Sequence, residues 1–267
     1  MRKKELRWEA HGGTDIGQRR SSNQDAFGMD LKIGAFAVAD GMGGHLGGEI
    51  ASHEAIEAAL GMLKREEEVL QRFKLQGGEE ALHRVRRLVE AAIQSATYWV
   101  HALGEADPSY QGMGTTLSLL VIAGSTGFIG QVGDSRVYRF RNGTIQRLTR
   151  DHTLAALEVE RGLIPPEQEE HSPHRHIITR AVGPNDHVQV DVFVFEVEAG
   201  DRYLLCSDGL YRMVPEEELS RSLAFPPKEA VEWLIAQANA RGGRDNITAL
   251  IVDIKASEGA NMDRGAL

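Results

Sequence analysis

Five aspartates, Asp25, Asp40, Asp134, Asp208 and Asp245, carry most of the chemistry this sequence could do. Asp40 closes the apolar run A-F-A-V-A and leads into glycines at 41, 43, 44, 47 and 48. Asp134 stands between Gly133 and Ser135, Asp208 follows the apolar run Y-L-L-C, and Asp245 precedes N-I-T-A-L-I-V. Carboxylates gathered in one place repel one another unless a cation neutralises them. Neither histidine nor cysteine belongs to the set, so its donors are all oxygen, which points to Mg²⁺ or Mn²⁺ rather than zinc. Magnesium keeps several of its waters, so a few carboxylates suffice for two ions. Arg19 and Arg20 precede Asp25 closely. Alone, that segment reads as a solvated basic turn. An arginine fork, however, grips two phosphate oxygens at once. Two hard cations and a forked arginine together describe hydrolysis of a phosphate ester.

The elements that must position these groups can be read from the same sequence. Residues 7 to 16 read as a first strand. Phe27 to Ala39 reads as a hairpin that turns near residues 30 to 32 and ends at Asp40. Residues 49 to 72 and 79 to 103 show helical apolar spacing, interrupted by Gly77-Gly78. The two helices are expected to pack over a sheet. From residue 112 a meander of strands follows, with Asn142-Gly143 as a hairpin signal. Residues 151 to 183 begin as a helix and then become polar and proline-rich, with His171, His174 and His176 at a spacing unlike that of a zinc motif. A mobile surface flap is the better reading. The last third holds β-rich residues 188 to 197, a buried strand ending at Asp208, helices at 215 to 222 and 227 to 241, and a final strand.

The chain has 267 residues, 42% hydrophobic and 26% charged, enough for a sizeable core in one large domain. Its net charge of -9 shows no basic face for nucleic acid. The single cysteine, Cys206, lies in an apolar run without a basic neighbour and reads as a core residue in a reducing compartment. No apolar run is long enough to span a membrane, and the N-terminus lacks an apolar signal core. The expectation is a soluble, cytoplasmic monomer.

The segments R-R-S-S-N-Q-D, V-A-D-G-M-G-G-H, G-M-G-T-T, G-D-S-R, D-H-T, T-R-A-V-G, L-L-C-S-D-G-L and R-D-N-I-T occur in this order over about residues 8 to 254. Together they resemble the type 2C, metal-dependent protein serine/threonine phosphatases, in the form found in bacteria. The resemblance implies an α+β fold: a four-layer α-β-β-α sandwich of two antiparallel sheets flanked by helices. It implies a catalytic domain over 1–255 with a flap over about 152–182; the small, polar residues 256–267 read as a disordered tail. By the same resemblance Asp40 bridges two metals and the Gly41 carbonyl binds one. Asp208 and Asp245 complete the other, and Asp25 supports the first. Asp134 and Asp208 hold a weak third ion, and Arg20 binds the substrate phosphate. The implied reaction is single-step hydrolysis of phosphoserine or phosphothreonine by a metal-bridging water, opposing a serine/threonine kinase.

Two departures from the family pattern stand out. Gln24 replaces a glutamate of some relatives. Met42 stands where eukaryotic members carry a histidine proposed as general acid. His45 reads as packing at the start of the following helix, which leaves that role to a metal-bound water. A catalytically weak binding module and a small-molecule phosphoesterase are the rival expectations. No metal acid is lost, which weighs against the first.

Overall fold

The structure is a computed structural model and describes residues 6–43 and 47–257. In chain order the described residues form β1 (Leu6–Asp15), β2 (Asp25–Asp30), β3 (Ala35–Met42), α1 (Gly47–Arg65), α2 (Glu67–Gln76) and α3 (Glu79–Ala106). Next come β4 (Gly114–Thr115), β5 (Leu117–Ala123), β6 (Thr126–Val132), β7 (Arg136–Arg141), β8 (Thr144–Arg147) and α4 (Leu154–Glu160). The chain closes with β9 (Asp191–Glu196), β10 (Arg202–Cys206), α5 (Asp208–Tyr211), α6 (Glu216–Ser222), α7 (Pro227–Ala240) and β11 (Ile247–Ala256).

Two antiparallel sheets result. One runs β1-β11-β10-β7-β8; the other runs β2-β3-β5-β6-β9, with β4 paired to β3. Alternation along β3 shows why they stack. Ala35, Ala37 and Ala39 face α1 and α3, while Phe36 and Val38 face Tyr203, Leu205, Leu250 and Val252 of the other sheet. Small residues on the helix side let α1 approach closely. A Cβ at Gly28 would lie 2.4 Å from Ile56 of α1. A third apolar layer packs α5, α6 and α7 against β10 and β11 through Leu210, Leu219, Leu234 and Ile251. The order is therefore helix, sheet, sheet, helix, as the sequence implied.

Two local differences have physical causes, and one turn forms as expected. The helical pattern of 49 to 72 is two helices, broken at Glu66 (φ -99°, ψ 21°), and the break turns Leu70 and Phe73 into the core. Phe73 meets Phe128 edge-on, with ring centroids 5.6 Å apart. Ala256 belongs to β11, where it pairs with Leu6, so the ladder extends into the segment expected as tail; 258–267 lie outside the described residues. Asn142-Gly143 does form the β7–β8 turn, both residues with positive φ.

Candidate metal centre

All five aspartates reach one end of the stacked sheets. Asp25 opens β2 and stands opposite Asp40 of β3 in the antiparallel register. Asp134 occupies the β6–β7 turn, Asp208 opens α5 directly after β10, and Asp245 precedes β11. The chain closes tightly behind Asp40. A Cβ at Gly41 would lie 2.0 Å from the Gly48 carbonyl oxygen and 2.5 Å from that of Gln24. Only glycine permits this approach. The Asp40 backbone is pinned by Thr116, whose Oγ1 accepts from the Asp40 N–H at 2.9 Å.

Asp25 is buried. Its Oδ2 accepts a hydrogen bond from Ser207 Oγ at 2.6 Å, while its Oδ1 is buried without a hydrogen-bond partner. Leaving a buried carboxylate oxygen unpaired costs free energy. Burial pushes the Asp25 carboxyl up to about 7, with Asp208 and Asp245 adding repulsion. Asp134 is likewise pushed up to about 7, first by burial and then by Asp208. Asp40 keeps a partly open surface, yet its surroundings desolvate the carboxyl. With Asp25 and Asp208 nearby, this holds it well above the usual carboxylate range. Asp208 is raised by burial too.

The arginines answer part of this charge. Arg20 Nη2 donates to Asp245 Oδ2 at 2.7 Å. Arg212 reaches both Asp134 and Asp208. Among the described residues, no three His, Cys, Asp or Glu side chains are gathered closely enough to cage an ion by themselves. The acids are instead held as a loose ring, three of them, Asp134, Asp208 and Asp245, turned onto arginines. The residues still fit hard cations. The donors are oxygen, one buried carboxylate oxygen is orphaned, and burial with mutual repulsion favours their neutral forms until positive charge arrives.

A cleft of about 490 Å³ opens beside the ring, lined by Asp208, Asp245, Arg175, His176, Arg212 and Arg244 among others. Asp25, Asp40 and Asp134 lie outside its lining. Its far wall is the segment expected as a flap, which folds as α4 and a 3₁₀ turn over Pro166–His171. The three histidines there form no metal cluster; His174 Nδ1 pairs with Glu158 Oε1 at 2.7 Å. Cys206 is buried in β10, and burial pushes its thiol up to about 12, which suits a core residue. His45 lies outside the described residues.

Several positioning residues went unrecognised in the sequence, although they sit inside its motifs. Asn246 Oδ1 accepts from the Gln24 N–H at 2.8 Å, and its Nδ2 donates to the Ile16 and Ser22 carbonyls at 2.9 Å. It therefore clamps the loop that carries Arg20. Ser207 orients Asp25 while its Oγ accepts from the Thr248 N–H at 3.0 Å. His152 is buried, and its Nδ1 accepts from the Gly133 N–H at 3.1 Å, holding the turn that presents Asp134. Arg136 and Asp151 form a buried pair at 2.8 Å behind Tyr211. The signal was their adjacency to the acids; what each one holds depends on contacts made across the fold.

The protein phosphatase 2C family profile matches residues 13–245. The chain belongs to the protein phosphatase 2C family. It is 36% identical over 250 residues to the serine/threonine protein phosphatase PstP of Mycobacterium tuberculosis, covering 93% of this chain and 45% of that protein. It thus spans about half the length of that relative. With the serine/threonine phosphatase stp of Listeria innocua it shares 35% identity over 90% of this chain and 93% of the relative. The crystal structure of the PstP catalytic domain in complex with two manganese ions superposes with a TM-score of 0.79 at 34% identity, over 94% of this chain and 99% of that one. The family and the four-layer fold agree with the sequence reading.

Proposed function

We propose that this chain is a metal-dependent phosphatase that hydrolyses phosphoserine and phosphothreonine in proteins. The observation that carries the reading is the ring of five aspartates with Asp25 Oδ1 buried and unpaired. It is supported by the manganese complex of a similar catalytic domain. Asp40, the Gly41 carbonyl, Asp208, Asp245 and Asp25 would hold two ions of Mn²⁺ or Mg²⁺. When bound there, such ions supply an acidified water and neutralise charge on the phosphoryl oxygens. Arg20 binds and orients the phosphate. It starts half-exposed, held by Asp245. The segment 152–182 is the flap beside the site, within a catalytic domain over 1–255. No helix among the described residues is long and apolar enough to cross a membrane. We place the protein in the cytoplasm as a monomer opposing a serine/threonine kinase, a setting that the lone buried thiol suits.

The deciding assay measures release of phosphate from a phosphothreonine peptide with Mn²⁺ and after exhaustive chelation. Turnover that needs the ion is the expected result. Undiminished turnover in chelator would overturn the reading. Hydrolysis of small phosphoesters without any phosphopeptide turnover would reassign the substrate.

A further inference from the structure

Asp208 lines the cleft and Asp134 lies behind it. The Arg212 guanidinium stands between them. Its Nη2 lies 3.2 Å from Asp134 Oδ2 and its Nε 2.8 Å from Asp208 Oδ2. The Nε contact is a close ion pair whose N–H is not aligned as a hydrogen bond. The side chains are largely buried: 16% exposed for Arg212, 4% for Asp134 and 18% for Asp208. Arg212 follows Asp208 by four residues, so the chain leaving β10 through α5 brings it back over the same acid.

Further bonds fix it there. Arg212 Nη2 also donates to the Arg175 carbonyl at 3.0 Å, on the flap segment. The neighbouring Tyr211 hydroxyl donates to the Asp134 carbonyl at 3.0 Å. An arginine never loses its charge near neutral pH, so it keeps one positive charge permanently between the two carboxylates. A weakly held divalent ion would have to expel this buried guanidinium and break its bond to the flap. The sequence resemblance gave this acid pair to a third ion; the side chains do not fit one.

We infer that Arg212 is a resident cation in the place of the third metal, so that the chain holds two ions and keeps Asp134 and Asp208 tied to the flap by its own side chain. The inference rests on the two-ion reading of the other acids. The test counts bound Mn²⁺ by titration calorimetry and by the free-ion electron paramagnetic resonance signal, up to millimolar Mn²⁺. The wild-type protein should bind two ions. Arg212→Ala and Arg212→Gln, with folding checked by circular dichroism, should each gain a third, weaker one. The double variant Arg212→Ala/Asp134→Asn should lose it again. A third ion on the wild-type protein, or a count of two on folded Arg212 variants, would overturn the inference and leave the two-ion reading standing. No ion on the wild-type protein would sink both. Should neither variant fold, the wild-type count decides alone.

Discussion

Arg20 Nη2 bonds Asp245 Oδ2 at 2.7 Å, joining residues 225 positions apart. The pair places a phosphate-binding group and a metal-binding group in direct competition for each other. An ion on Asp245 would compete with the guanidinium for the carboxylate, and a phosphate would compete with Asp245 for the guanidinium. Arg20→Ala should therefore raise KM for p-nitrophenyl phosphate and phosphopeptides by about 10- to 100-fold, the equivalent of roughly 1.5–3 kcal/mol for a charge-assisted hydrogen bond. Steady-state kinetics read this directly. An unchanged KM would move the phosphate role to another residue.

Hydrolysis of p-nitrophenyl phosphate should require Mn²⁺ or Mg²⁺ and stop in excess EDTA. Asp40→Asn and Asp208→Asn each remove central negative charge from the ring. Each should cost about a hundredfold or more in kcat at saturating Mn²⁺. Near-wild-type turnover by either variant would remove that residue from the set.

Substrate preference is checked with a peptide panel. Phosphoserine and phosphothreonine peptides should be cleaved faster than phosphotyrosine peptides of the same sequence. A strong phosphotyrosine preference would contradict the proposed function.

The pH dependence of stability follows from Asp25. Its folded pKa of about 7 lies above the ordinary carboxylate value of 3.8, so between these values the folded state holds more protons than the unfolded chain. Its contribution to stability is therefore present at low pH and lost as pH rises toward about 7. His152, held below its ordinary value by burial, acts in the opposite sense in acid. A difference measurement isolates Asp25. In chelator, the melting temperature of Asp25→Asn minus that of wild type should become more positive from pH 5 to pH 8. The shift should be several degrees, at about 2–4 °C per kcal/mol for a domain of roughly this size. A pH-independent difference would show that Asp25 titrates normally.

In the cleft wall, the buried Arg136–Asp151 pair predicts a loss of stability. Both side chains are under a tenth exposed. Asp151→Ala strands a buried guanidinium and should cost about 3–5 kcal/mol in denaturant unfolding. A cost under about 1 kcal/mol would mean that Glu170, 3.3 Å from Arg136 Nη1, takes over the charge.

The acids and the architecture were legible in the sequence because their signals are local. Apolar alternation exposes a strand's two faces, and an aspartate beside glycine at a strand's end marks where a carboxylate is delivered. Asp40, Asp134 and Asp208 could therefore be named from the residues around each one, while Asp25 and Asp245, without an adjacent glycine, were named within the motifs R-R-S-S-N-Q-D and R-D-N-I-T. Partnership is not local. That Arg20 meets Asp245, that Asn246 holds the Arg20 loop, and that Arg212 stands between Asp134 and Asp208 depend on how β2, β6, β10 and β11 converge. The residues Y-R after D-G-L look like any helix start. Only folding, which brings the β6–β7 turn to within 3.2 Å of Arg212, sets that guanidinium between two acids as their resident cation.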